Sequence, residues 1–172
     1  MPTDWRDVPL SRDHDRAAFD CGDAAINSWF SRYARQSHES GGAKTFVAVE
    51  NAALERILGF YSLSPASVEY AKVPLAANRG SGRYEVPVFR LGRLAVDVAF
   101  QRKGLGAGLL VAATRRCHSV AAQVGGVGVL IDAKNERIAE WYASFGALPF
   151  PDHPLTLVLT FEALKHLLRN GN

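Results

Sequence analysis

This 172-residue chain is poor in cysteine and methionine, with two of the first and one of the second, and it has no apolar run of membrane-spanning length. Cys21 and Cys117 belong to no CxxC pair, which leaves no disulfide framework and no thiolate metal cluster to propose. The five histidines, His14, His38, His118, His153 and His166, lack HxH or HExxH spacing, so no metal is expected. Cys117 and His118 are adjacent, but neighbours on a helix point about 100° apart, and a Cys-His nucleophile is not formed that way. The amino terminus, MPTDWRDVPL, has no apolar core of the kind a secretory signal carries. With no membrane span either, a soluble cytoplasmic protein is expected.

What the chain does have is enough apolar material for one core. Its hydrophobic share is 48%, it shows no internal repeat and no low-complexity linker, and a single domain spanning residues 1–172 is expected. A first strand is expected near Trp5 to Leu10. Asp23 to Gln36 reads as a helix with Ile26, Phe30 and Tyr33 on one face. Lys44 to Glu50 and Ile57 to Leu63 read as a strand pair joined by NAALER. A polar stretch from Tyr70 to Val86, with room for a short helix, precedes a strand from Leu91. After that, helices and strands alternate: strand Val127–Ile131, a helix with Ile138, Tyr142 and Phe145 at helical spacing, strand Leu155–Phe161 and a last helix near Glu162–Arg169. Such an order makes an α/β protein of mixed α+β type, a mixed sheet packed by helices with its ligand at a strand-to-helix corner.

That corner lies within LGRLAVDVAFQRKGLGAGLL, Leu91 to Leu110. Leu94, Val96 and Val98 alternate with Arg93, Ala95 and Asp97 as in a strand, and Leu105, Leu109, Ala113 and Cys117 recur at helical spacing. Between them stand Gln101, Arg102, Lys103, Gly104, Leu105, Gly106 and Ala107. Glycines let a backbone approach a ligand, and the first N–H groups of a helix have no internal partner, so this is a place for an anion. Arg102 and Lys103 add charge. No Ser or Thr follows the Lys-Gly pair, so a P-loop is excluded; position 109 is Leu, so the dinucleotide fingerprint fails too.

The remaining match is Gln/Arg-x-x-Gly-x-Gly/Ala, and here the chain resembles the GNAT superfamily of N-acetyltransferases, whose loop of this form holds the pyrophosphate of coenzyme A. LGRLAVD, QRKGLG, LIDAKN, the Trp141-Tyr142 pair, FDCGDAAINSWFSRYARQ and GFYSLSPASV together resemble one subgroup, the acetyltransferase toxins of bacterial toxin–antitoxin pairs, over about Phe19 to Phe161. Two departures stand out. The subgroup usually has Phe-Tyr at Trp141-Tyr142, and Gly-Phe at Gly146-Ala147, where the acceptor-pocket wall is affected. The resemblance implies a GNAT fold, a central mixed sheet with splayed parallel strands flanked by helices. It implies acetyl-CoA as co-substrate, with Leu94, Ala95 and Val96 pairing through their backbones with the pantetheine arm and the Val96 N–H facing the developing oxyanion. It makes Asn135 a coenzyme ligand, where the local sequence alone reads a helix N-cap. It makes Tyr142 the general acid that protonates the leaving thiolate, where periodicity alone reads a core aromatic.

The acceptor is read from charge and from the resemblance together. From Lys72 to Arg93 five positive residues (Lys72, Arg79, Arg83, Arg90 and Arg93) face one acid, Glu85, a net of +4 against +3 for the whole chain. Arg32 and Arg35 add to them on the first helix. Basic charge of this density suits a polyanion, since each phosphate contact releases counterions; a solvated surface is the bland alternative. The subgroup's acceptor is the α-amine of aminoacyl-tRNA, whose acetylation blocks translation, so Arg79, Arg83, Arg90, Arg93, Arg32 and Arg35 are the candidate tRNA contacts. A small-molecule, polyamine or protein amine is the alternative acceptor, and a catalytically silent coenzyme- or antitoxin-binding module is a third reading. The resemblance also implies a homodimer and a ribbon-helix-helix antitoxin encoded nearby, and no membrane partner.

Overall fold

A computed structural model describes residues 4–69, 72–74, 77 and 85–170. Arg79 and Arg83, and most of the polar stretch expected between Tyr70 and Val86, lie outside the described residues. The elements are β1 (Trp5–Pro9), α1 (Ala24–Arg32), α2 (Ala34–Ser40), β2 (Lys44–Glu50), β3 (Ala53–Glu69), β4 (Glu85–Val96), a 3-10 turn (Val98–Phe100), α3 (Leu105–Val124), β5 (Gly128–Asp132), α4 (Glu136–Ala143), β6 (Leu148–Phe150), β7 (His153–Thr160) and α5 (Phe161–Asn170). The strand order is β1-β2-β3-β4-β5-β7-β6, with β4 and β5 parallel and the other described pairings antiparallel, so the sheet is mixed. The chain packs as two compact units. Met1–Ser64 with Gly92–Ala113 form the first, Pro65–Leu91 with Thr114–Asn172 the second.

In the first unit β1 pairs with β2 from Trp5↔Glu50 to Pro9↔Phe46, and β2 pairs with β3 from Lys44↔Leu63 to Glu50↔Ala53. Most of the expected connection NAALER is therefore strand. Only Asn51 and Ala52 turn, and two register shifts between Ala48 and Glu50 absorb the misfit. α1 begins where Asp23 accepts hydrogen bonds from the Ala25 and Ile26 N–H groups, satisfying first-turn donors. The expected continuous helix from Asp23 to Gln36 is broken at Tyr33. Its φ of −119° leaves the helical range, α2 restarts at Ala34, and Tyr33 is 55% exposed instead of sharing the face of Phe30. The shift lets the fully buried Ala34 take the inward position that unbroken periodicity assigns to Tyr33. Arg16 closes the end of α1 by donating to the carbonyls of Phe30 and Ser31 at 3.0 and 2.7 Å. Beneath lies an aromatic core: Phe30 stacks on Phe60 with centroids 4.0 Å apart, and Phe19 meets both. Truncating such a buried ring costs about 3–5 kcal/mol.

In the second unit β4 and β5 pair over Phe89↔Val129 to Leu91↔Ile131, and β5 pairs with β7 from Gly128↔Thr160 to Asp132↔Thr156. The parallel ladder ends at Leu91, while β4 continues for five more residues to Val96. Burial along β4 changes phase, falling on Val86 and Val88 and then on Leu91 and Ala95. The strand thus begins earlier than Leu91 and stops before Val98, which is 51% exposed in the 3-10 turn. β6, three residues with a proline at the centre, has no counterpart among the expected strands, being too short for any period to show. Cys117 is buried with its thiol pushed up to about 12 by desolvation, and the His118 ring packs instead against Phe161, 5.1 Å between centroids.

Candidate functional site

The corner between β4 and α3 is held by a network that no local pattern reveals. Asp97 accepts from the Ala99 N–H with one carboxylate oxygen and from the Asp20 N–H with the other, at 3.0 and 3.1 Å. The Val98 N–H returns a bond to the Asp20 carbonyl at 2.8 Å. Asp20 in turn accepts from the Gly22 N–H and the Asn27 amide, which hold its carboxyl below the usual range. Gln101 then spends its amide on two carbonyls, those of Cys21 and Val96, each at 2.9 Å. Its side chain braces the loop, so what it offers a ligand is backbone.

After this brace the chain passes through two left-handed residues, Arg102 at φ 60° and Gly104 at φ 85°. A non-glycine there costs roughly 1 kcal/mol and persists only where the surroundings impose it. Alternation of this kind turns successive N–H groups toward one concavity, the geometry of an anion nest. The first bond of α3 runs from the Gly108 N–H to the Gly104 carbonyl, so the N–H groups of Leu105, Gly106 and Ala107 have no partner within the helix. Leu105 anchors the turn, fully buried, while Gln101, Arg102, Lys103 and Gly104 are exposed. Lys103 lays its ammonium on the Ala99 carbonyl at 3.2 Å. A Cβ at Gly108 would stand 2.7 Å from the Trp5 ring, so the helix entry needs glycine for packing as well.

The outgoing end of β4 has an ordered edge. The Asp97 N–H donates to the Leu58 carbonyl at 2.9 Å, so odd-numbered backbone groups here face β3. By strand alternation the N–H groups of Leu94 and Val96 face the opposite edge, and the Ala95 backbone does not. Arg93 lies with its guanidinium 3.8 Å from the Trp29 ring centroid, a cation–π contact, and forms no ion pair with a described residue. Trp29 itself stacks on Phe60. Sequence reasoning assigned no role in the site to Trp29, Trp5, Asp20, Asn27 or Asp97.

The other candidates belong to the second unit. Asn135 is the N-cap of α4, accepting from the Ile138 N–H at 3.0 Å, which leaves its amide N–H groups available. Tyr142 lies two turns on. Its residue is 7% exposed, it meets Trp141 edge-on at 4.9 Å, and no described residue hydrogen-bonds its phenolic oxygen. Burial pushes the phenol up to about 12, so it stays protonated through neutral pH. After α4 the chain turns at Gly146, φ 98°, with Ala163 of α5 packed against it and Ala147 buried.

The basic residues divide. Arg90 is committed to Asp132, which also accepts from Thr156 at 3.2 Å, so Arg90 clamps β4 to β5. Lys72 pairs with Glu69 at 3.3 Å and Arg35 with Glu39 at 3.4 Å. Arg93 and the exposed Arg32 keep their charges unpaired among the described residues. The net charge counted along the segment therefore overstates what is offered to a partner. Among the described residues no three His, Cys, Asp or Glu side chains gather as metal ligands, and no helix is long and apolar enough to cross a membrane.

No family model matches the chain. A tRNA-acetylating toxin of Mycobacterium tuberculosis (strain ATCC 25618 / H37Rv) is 31% identical over 159 residues, covering 92% of this chain and 93% of the relative. The chain belongs to the tRNA-acetylating toxin family, a GNAT-type acetyltransferase family. Among solved structures, the toxin AtaT complexed with acetyl-methionyl-tRNAfMet superposes with a TM-score of 0.88 at 26% identity, covering 96% of this chain and 99% of that one. A Tyr-to-Phe mutant of AtaT bound to acetyl-CoA and the C-terminus of its antitoxin AtaR gives 0.80 at 26% identity, covering 96% and 98%. The mixed sheet with α-helices thus has the GNAT-like architecture of these toxins. As a member of the tRNA-acetylating toxin family, the chain carries its QRKGLG loop on the glycine-entered helix described above.

Proposed function

We propose that this protein transfers the acetyl group of acetyl-CoA to the α-amine of an aminoacyl-tRNA and so arrests translation. The observation that carries the reading is the match over nearly the whole chain to a tRNA-acetylating toxin, on a fold whose helix entry is built for an anion. The reading takes residues 1–172 as one acetyltransferase domain.

The residues fit acetyl-CoA by their chemistry. The free N–H groups of Leu105, Gly106 and Ala107, the left-handed Arg102 and Gly104, and the charges of Arg102 and Lys103 suit a pyrophosphate. The open edge of Leu94 and Val96 suits an extended amide-bearing arm, which adds to a strand as a peptide does. Bound there, acetyl-CoA supplies an acyl thioester open to attack by a neutral amine. Val96 offers an N–H to the oxygen on which negative charge develops. Tyr142 holds a proton that it can give to the departing sulfur, and Asn135 offers its amide donors to the coenzyme. Arg93, unpaired and seated on Trp29, and Arg32 are assigned to tRNA phosphates. Arg90 and Arg35 act first on Asp132 and Glu39. A polyamine acceptor asks for carboxylates instead of an unpaired guanidinium, which makes it the weaker reading.

The partners follow from the same assignment. AtaT is solved with the C-terminus of its antitoxin AtaR, and a small antitoxin of the ribbon-helix-helix type, encoded nearby, is proposed for this chain. A homodimer and a cytoplasmic site of action, where charged tRNA is used, complete the proposal. In a reconstituted translation system the protein is expected to stop peptide synthesis only when acetyl-CoA is supplied. Arrest without acetyl-CoA, or none with it, overturns the reading.

A further inference from the structure

The second unit contains a cavity of about 560 Å³ walled by His118 of α3 and by Phe161, Glu162, Lys165, His166 and Arg169 of α5. The proposed transfer reaction uses none of these side chains. Glu162, Lys165, His166 and Arg169 follow the spacing i, i+3, i+4, i+7, which puts them in one stripe along the helix. The apolar residues Phe161 and Leu164 of the same helix are buried. Lys165 and Arg169 form no ion pair with any described residue, unlike Arg35, Lys72 and Arg90.

We propose that this groove binds RNA backbone phosphates and is an accessory contact for the body of the tRNA, an inference that rests on the acetyl-transfer reading above. Arg169 brings a planar fork of donors, Lys165 a point charge and the two histidines ring N–H groups, all suited to phosphate oxygens. The stripe runs about 10 Å from Glu162 to Arg169 at 1.5 Å per residue. Two successive phosphates of one strand, separated by a full nucleotide of backbone, fit that length. An acidic peptide is the competing occupant, and the lining argues against it. Peptide partners depend on apolar anchors set into pockets, and the one aromatic of the lining, Phe161, is buried with His118 against its ring. Phosphate contacts need only donors and charge, and they position an RNA without reading its sequence.

The test uses the full chain carrying Lys165→Gln together with Arg169→Gln, two substitutions at exposed positions of α5. Four quantities are measured: KM for full-length charged tRNA across a salt series, KM for an aminoacylated trinucleotide, acetyl-CoA affinity by calorimetry, and affinity for the antitoxin encoded nearby. Loss of two phosphate contacts is expected to raise KM for tRNA about tenfold and to make the log–log salt slope shallower by about 2, at roughly 0.9 per phosphate. The trinucleotide KM and acetyl-CoA affinity stay unchanged, and the charge-preserving pair Lys165→Arg and Arg169→Lys restores the tRNA value. Unchanged tRNA KM and slope overturn the proposal, as does an equal rise for the trinucleotide, which places the effect at the reacting centre. Loss of antitoxin binding with tRNA KM unchanged hands the groove to a protein partner and also overturns it. A wild-type protein that acetylates neither charged substrate brings down the parent reading instead, a result distinct from all of these.

Discussion

Tyr142→Phe is expected to lower kcat by about 10²-fold or more while leaving acetyl-CoA affinity and melting temperature near wild type, as measured by initial rates, calorimetry and thermal unfolding. The magnitude is that of a lost general acid. The sparing of the fold follows from the environment: the ring is buried, Trp141 packs on its edge, and no described residue depends on the hydroxyl. Near-normal turnover returns Tyr142 to the role of a core aromatic. The pH profile supplies a second readout. Burial raises the phenol to about 12, so the acid form persists as pH rises, and no alkaline loss from this group enters below about pH 10. The acceptor amine must be neutral, and an α-amino group has a reference value near 7.7–8.0. The rate therefore climbs toward about pH 8 and then levels.

Gly104→Glu is expected to weaken acetyl-CoA binding by about 100-fold or more, read by calorimetry. Three effects point the same way. Gly104 has φ 85°, where an L side chain costs about 1 kcal/mol. The new carboxylate meets the pyrophosphate as a like charge. A distorted turn also misaims the N–H groups of Leu105, Gly106 and Ala107, which have no partner in the helix to hold them. Because Gly104 is exposed, the fold itself should survive, and a retained circular dichroism spectrum separates lost binding from lost structure. Binding at the wild-type level removes the loop from the coenzyme site.

The helix and its entry were legible because both rest on neighbours in sequence. Leu105, Leu109, Ala113 and Cys117 all turn out buried at the spacing that marks them, and Asn135 caps α4 as its position before Glu136 suggests. What escaped was set by distant partners. Gln101 reaches the Cys21 carbonyl 80 positions away, so a residue that reads as a ligand in the hexapeptide is mainly its brace. Arg90 reads as a free cation until Asp132, 42 positions on, is brought to it by the parallel pairing of β4 and β5. Trp29 and Arg93 have no reason to be linked until the first unit folds. The break at Tyr33 belongs with these: Tyr33 fits the apolar period, and only the packing of Ala34 decides against it. β6 carries too few residues for alternation to register.

The central claim is that the acetyl group goes to the amine of the amino acid on a charged tRNA. Purified protein is incubated with labelled acetyl-CoA and total charged tRNA, alongside deacylated tRNA, free amino acids and polyamines, and the products released from tRNA by mild base are analysed by mass spectrometry. The account predicts label that precipitates with charged tRNA and is released as N-acetyl amino acids, with none on deacylated tRNA. Label on polyamines or free amino acids, with none on charged tRNA, would contradict it.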